Sequence, residues 1–476
     1  MDGSIANECH NEQTPLIHSH QGNVKRTPLP KLQIGILLFL QINEPLCSMS
    51  IYPYINELVS KLDIIGGDTR KIGYYAGLIE SLFFATEALT VFQWSRTSDR
   101  IGRKPVLLIG LAGTFLSMQL FGLSRTFWTL VISRCLCGLL NGNIGVMKSC
   151  MGELTDPTNR AEAFALMPVI WAFGASMGPL LGGSLARPSD HFPTIFTGGF
   201  WKQYPYYLPC LAAGIFLLLT LVIVAVFFQE PTSPAPSYTS DIECDVEEAL
   251  PTREQEFSFC DLLTFPVMIS IANYVILAFL SISVSALLPL FFHMPIPMGG
   301  LDLDPVAIGY IMGTYGAGTG LFQFLFFARI VRQYGTRHVF ILSLSMFIPL
   351  FAMFPVISIV SKGYGVDYWV VWVLVGLMLF LLFFIDMAYG CIFMYVTEAA
   401  PSRSSLGAIN GFAQTTASVA RAVGPALSTS LYSFSVQHDL LGGYGVYAIF
   451  GLLATLSMFV AIQLPRQTQS NLKLKL

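Results

Sequence analysis

Long apolar runs alternate with short polar breaks along most of the chain. Runs of roughly the 20 residues needed to cross a bilayer fall near 33–55, 72–93, 105–123, 127–150, 161–184 and 207–228. They resume near 262–291, 306–328, 338–360, 368–397, 404–433 and 444–464. The pattern predicts an all-α membrane protein of twelve transmembrane helices in two six-helix bundles. Between the sets, the interval 229–261 is first rich in Pro and Ser (Pro231, Pro234, Pro236), then acidic (Asp241, Glu243, Asp245, Glu247, Glu248). Such a segment cannot bury enough apolar area to offset its ordering entropy. The expected organisation is a polar tail at 1–31, bundles at 32–228 and 262–465, an acidic connector at 229–261 and a tail at 466–476.

Composition agrees with lipid as the solvent. Only 12% of residues are charged, against about 25% in soluble proteins. The net charge of −3 gives no case for a nucleic-acid partner. Nine cysteines include no CxxC pair and mostly lie in apolar runs, so no metal site, cofactor or disulfide framework is expected. Without a nucleophile–base arrangement or a phosphate-binding loop, an enzyme is not expected either.

Basic residues set the expected orientation. With both termini cytoplasmic, sixteen Lys and Arg fall on the cytoplasmic side and seven on the other. The polar start through Lys31 predicts no cleavable leader, the first span acting as insertion signal. In the first tail, Glu12-Gln-Thr-Pro-Leu16-Ile17 fits an acidic dileucine sorting pattern.

Charges within the apolar runs are sparse, and each costs several kcal/mol unless paired or wetted. The first run carries Glu44, the second Glu80 and Glu87, the fourth Arg134 and Lys148, the tenth Asp386 and the eleventh Arg421. The third, sixth, ninth and twelfth carry none in their cores. Glu44, followed by Pro45, is the first candidate proton carrier, because a desolvated carboxyl can take and release a proton. Arg134 is its expected partner. Asp386 is the second candidate, with Arg421 as a possible partner. Glu80, Glu87 and Asn273 complete the cavity candidates, with Tyr52, Tyr54, Trp171, Phe173, Tyr274, Tyr389 and Phe393 as a possible aromatic floor.

Charge is concentrated instead in WSRTSDRIGRKPVLL, residues 94–108, assigned to a short loop between the second and third spans. Here Ser95, Asp99, Arg100, Gly102, Arg103 and Lys104 resemble the loop signature of the major facilitator superfamily, with Ser95 where the family has Gly. Gly174, Gly178, Pro179, Gly182 and Gly183 resemble that superfamily's antiporter motif, with Ala165 where an earlier Gly is usual. Arg134 and Gly138 resemble its fourth-helix motif, with Cys137 replacing the usual Gln. Arg332, Gly335 and Arg337 repeat the loop signature in reduced form.

The resemblance is to the 12-spanning drug:proton antiporters, especially fungal members and the related plant zinc-induced facilitators. It implies two related bundles, with helices 1, 4, 7 and 10 lining the cavity and 3, 6, 9 and 12 facing lipid. It implies a monomer, without cofactor, that exchanges protons for a small organic drug, toxin or secondary metabolite at the plasma or vacuolar membrane. The plant branch leaves a second reading open, transport of a metal or metal chelate. In the first reading Asp99 latches the cytoplasmic side against the eleventh helix, near Ser404 and Ser405.

Overall fold

The computed structural model describes residues 28–155, 159–230, 264–399 and 406–466. Both tails with the dileucine pattern, nearly all of the acidic connector, and Ser404 and Ser405 lie outside the described residues. Among the described residues every regular element is helical, the form that lets a chain in lipid satisfy its own backbone groups.

Twelve rods follow in order. The first bundle holds α1 (Lys31–Ser60), α2 (Ile72–Ile101), α3 (Arg103–Gly122), α4 (Phe127–Glu153), α5 (Arg160–Leu185) and α6 (Tyr207–Phe227). The second holds α7 (Phe265–His293), α8 (Pro305–Phe322, extended by a π turn and Ala328–Tyr334), α9 (Thr336–Tyr364), α10 (Trp369–Glu398), α11 (Leu406–Gln437) and α12 (Gly445–Ala461). Eight of them are long and apolar enough to cross a membrane unaided, nine with the bent α2. Of the rest, α8 is interrupted, α11 is partly polar and α12 has only 17 residues.

The bundles meet along α2 with α11 and α5 with α8. Ala426 N donates to Ser81 Oγ at 2.8 Å, and Ser176 Oγ donates to the Gly313 carbonyl at 2.8 Å. At the end remote from the termini, Arg187 lies 3.5 Å from Glu57 of its own bundle and 3.9 Å from Asp304 of the other.

One boundary differs from expectation. The charged stretch is not a loop. Helix α2 runs on through Asp99 to Ile101, and Gly102 alone turns the chain into α3. Its φ of 100° lies where a side chain is strained.

Candidate functional site

Two helices of the first bundle are broken in the same neighbourhood. Helix α1 is interrupted at Ile42, between Lys31–Gln41 and Asn43–Ser60. Pro45 has no N–H to offer the Gln41 carbonyl, so a helical bond is missing there. Helix α4 is interrupted between Phe127–Leu140 and Asn143–Glu153, where Asn141-Gly142-Asn143 combines three weak helix formers. Trp94 Nε1 donates to the Leu139 carbonyl at 2.7 Å, satisfying an acceptor beside the break.

A cavity of about 30 Å³ lies between the two breaks, lined by Gln41, Asn43, Glu44, Thr114, Asn141 and Asn143 among others. That volume admits one small polar group. Gln41 Nε2 donates to the Met167 carbonyl at 3.1 Å, which fixes the amide orientation. Among the described residues, Gln41 Oε1 and Asn143 Oδ1 are buried without a hydrogen-bond donor. Across the cavity, Asn141 Nδ2 donates to Glu87 Oε1 at 2.9 Å.

Four charges gather beside this cavity. Glu44 of α1 and Glu87 of α2 interact electrostatically with Lys148 of α4 and Arg421 of α11, and with each other. No two of the four come within ion-pair distance among the described residues. Arg421 Nη2 instead donates to the Tyr274 hydroxyl at 3.4 Å, and that hydroxyl donates to Gln414 Oε1 at 3.1 Å. The Tyr274 ring stands 5.4 Å from Phe393 and 6.5 Å from Tyr389, edge-on to both. The residues that line the cavity all belong to the first bundle, with Glu44 its one acidic side chain among the described residues.

Several expected pairings are replaced. Arg134 does not join Glu44. It lies over the Phe83 ring at 4.8 Å and shares a separate cavity of about 10 Å³ with Glu80 and Tyr52. Asp386 does not meet Arg421; it accepts from the Tyr315 hydroxyl at 2.6 Å and Thr319 Oγ1 at 3.3 Å, tying α10 to α8. Asn273 is fully buried and donates to the carbonyls of Ile269 at 2.8 Å and Val460 at 3.3 Å. It packs α7 on α12, away from the charge cluster. In each case sequence gave the helix but not its rotation. Lys148 was visible only as a charge in an apolar run. The Asn-Gly-Asn break, in the α4 position corresponding to α1 within an inverted repeat, was the signal available for this site.

At the termini side, the charged stretch forms a compact network. Arg103 lies 2.5 Å from Asp99 and 2.6 Å from Glu153 at the end of α4, and its Nη1 donates to Ser98 Oγ at 2.6 Å. Ser98 Oγ in turn donates to the Ser95 carbonyl at 2.7 Å. The Glu230 carboxylate, at the start of the connector, accepts from the Arg103 and Lys104 backbone N–H groups. Arg100 is exposed, as is Asp99. The expected partner of Asp99 on α11 falls outside the described residues.

The glycine signature on α5 serves two contacts. Gly174, Gly178 and Gly182 lie against the α1 backbone from Ile42 to Ser50, while Gly183 meets Gly309 of α8. A side chain at Gly183 would sit 2.8 Å from the Gly309 Cα. Pro179 lies within this seam, its carbonyl facing Gly309. Close packing of small residues is how helices approach in lipid.

Comparison with known proteins adds family evidence. A family model described as Major Facilitator Superfamily matches residues 48–425. The Major facilitator-type transporter psiT2 of Psilocybe cyanescens is 31% identical, over 93% of this chain and 92% of its own. Efflux pump azaK of Aspergillus niger is 30% identical, over 96% of each chain. The crystal structure of the human organic anion transporter MFSD10 (TETRAN) superposes with a TM-score of 0.62 at 20% identity, covering 91% of this chain and 100% of that one.

Proposed function

Since this chain belongs to the Major Facilitator Superfamily and is a multi-pass membrane transporter, we propose that it exports a small organic compound in exchange for protons, by alternating access. The observation that carries the reading is the loose cluster of Glu44, Glu87, Lys148 and Arg421 beside two broken helices. Glu87 is buried, Glu44 and Arg421 are half-buried and Lys148 is exposed. Charges held in a span without direct partners are costly, and broken helices lining a cavity are where transporters of this architecture hold ligands and coupling ions. Relatives named as an efflux pump and a multidrug transporter support the outward direction.

In the proposed cycle the termini face the cytoplasm. Glu44 is protonated while the cavity faces the acidic side and releases that proton inward. A polar or cationic group of the substrate then competes for the freed carboxylate, and Glu87 shares the load through Asn141. Proton and substrate exclude one another, which makes exchange obligatory. Asp99 latches the cytoplasmic side in the closed state.

Glu44→Gln mimics the protonated form permanently. Reconstituted in vesicles, it should lose uphill efflux driven by a pH gradient while keeping downhill substrate-for-substrate exchange. Wild-type accumulation against a gradient in this variant would place the proton elsewhere, with Asp386 next to examine.

A further inference from the structure

We propose that the cavity between the breaks of α1 and α4 binds one dehydrated monovalent metal cation, sodium, through the Glu44 carboxylate and the side-chain oxygens of Gln41, Thr114 and Asn143. The site goes beyond the transport reading above, with which it shares Glu44, and one experiment separates the two.

The balance of donors and acceptors on the lining carries the assignment. Nearly all its side-chain donors are spent on protein acceptors. Gln41 Nε2 goes to the Met167 carbonyl, and Asn43 Nδ2 to the Leu40 carbonyl and Thr220 Oγ1. Asn141 Nδ2 goes to Glu87 Oε1, and the Thr114 hydroxyl to the Gly110 carbonyl. The acceptors are left over. Among the described residues Gln41 Oε1 and Asn143 Oδ1 have no donor, and the Glu44 carboxylate makes no hydrogen bond or ion pair. Gln41 and Asn143 are only 7% and 8% exposed, so bulk water does not serve those oxygens. A hydroxyl that donates keeps its lone pairs, which adds Thr114 Oγ1. Pro45 also leaves the Gln41 carbonyl without its helical donor.

That imbalance decides the class of ligand. A buried water makes about three hydrogen bonds, some as donor and some as acceptor. Of the lining side chains only the Asn143 amide is left to donate to it. A metal cation brings no lone pair and needs only oxygens. An anion is repelled by the same oxygens.

Charge and size narrow the choice. Glu44 is the one carboxylate on the lining among the described residues, and one negative charge matches a monovalent ion. Calcium takes about six to eight oxygen ligands, and magnesium gives up its waters reluctantly. Oxygen ligands without His or Cys suit a hard cation rather than a transition metal. A volume of about 30 Å³ leaves room for one ion without its water shell, which favours sodium over the larger potassium. From neighbouring elements Glu87, Lys148 and Arg421 act electrostatically on Glu44. Glu87 attracts a cation and the other two oppose it. Lys148 is exposed and screened by water, and Arg421 is turned to the Tyr274 hydroxyl of the other bundle.

Sodium and a proton then compete for one carboxylate. Binding of radiolabelled sodium is measured on the purified full-length protein, with choline as the replacement ion at constant ionic strength. Sodium should bind at least about tenfold more tightly than potassium. Its affinity should fall about tenfold per pH unit once Glu44 protonates, one proton displacing one ion. Glu44→Gln should abolish binding. Asn143→Leu keeps the charge and the volume, removes one oxygen and should weaken binding at least about tenfold, which covers a misfolded Glu44→Gln. Glu80→Gln, in the separate cavity with Arg134, should bind sodium as wild type does. Equal responses to sodium, potassium and choline, or unchanged binding in Asn143→Leu, overturn the proposal and leave the cavity to water or a proton. Vesicle flux keeps the two claims apart. Sodium binding without pH-driven flux keeps the site and sinks proton exchange. Flux driven by pH without sodium binding does the reverse.

Discussion

Gly102 and Gly335 occupy corresponding places in the two bundles, and their backbones nearly superpose: φ and ψ are 100° and 159° at one, 80° and 149° at the other. Two residues past each glycine a cation reaches the carbonyls that end the bundle's last helix. Lys104 Nζ donates to Phe228 at 2.7 Å, beyond α6. Arg337 Nε donates to Leu464 at 2.9 Å, beyond α12, and its Nη2 donates to Ile462. Three residues before each glycine the correspondence fails. The first bundle has Asp99, paired with Arg103; the second has Arg332, and the position of Arg103 holds the buried Thr336. What the two turns share builds a bundle. What only the first possesses, the acidic network from Asp99 to Glu153 and Glu230, is available for control.

The largest expected effect strikes both halves alike. Gly102→Ala and Gly335→Ala each force a side chain into a left-handed backbone region, at about 1–3 kcal/mol. Both should lower the thermal unfolding midpoint in detergent; a silent Gly335→Ala would end the correspondence between the turns. Next comes a functional asymmetry. Asp99→Asn should slow vesicle transport about tenfold, or ~1.4 kcal/mol of barrier, with normal insertion, while Arg332→Gln stays within about twofold. Equal slowing by both would make the charges plain membrane anchors. The smallest effect again treats the halves as equals. Lys104→Ala and Arg337→Ala each remove a cation from a helix C-terminus, a loss of roughly 0.3–1 kcal/mol. A difference between them larger than that range would show that one clamp carries more than the shared role.

The spans were legible because hydrophobic length is a local property; the turn was not, since the stretch assigned to a loop is helical up to Ile101 and Gly102 alone makes the turn. The site was legible only in part. Sequence identified Glu44, Glu87 and Arg421 as rare charges in apolar runs, yet it joined Glu44 to Arg134 and Asp386 to Arg421. Partners across helices depend on rotation about each axis, and one residue of twist, about 100°, moves a side chain to another face. Helix α4 shows this directly: Arg134 and Lys148 lie on one rod, but Arg134 shares a cavity with Glu80 while Lys148 acts electrostatically on Glu44. Glu230 was hidden for another reason. It lies at the edge of a segment read as unstructured, and its role exists only because the α3 N-terminus is presented beside the end of α6.

The two cation clamps have a mechanical consequence. In each half the third and sixth helices already pack along one another, and in the first Gln119 Nε2 donates to the Cys210 carbonyl at 3.3 Å. Lys104 and Arg337 tie the start of the third helix to the end of the sixth in each half, so each half is a line by covalent bonding but a hoop by stiffness. Hoops resist shearing and transmit torque. A load applied at the seam by a ligand or a proton is therefore resolved as rotation of whole hoops against each other, with the α2–α11 and α5–α8 contacts as the bearing surfaces.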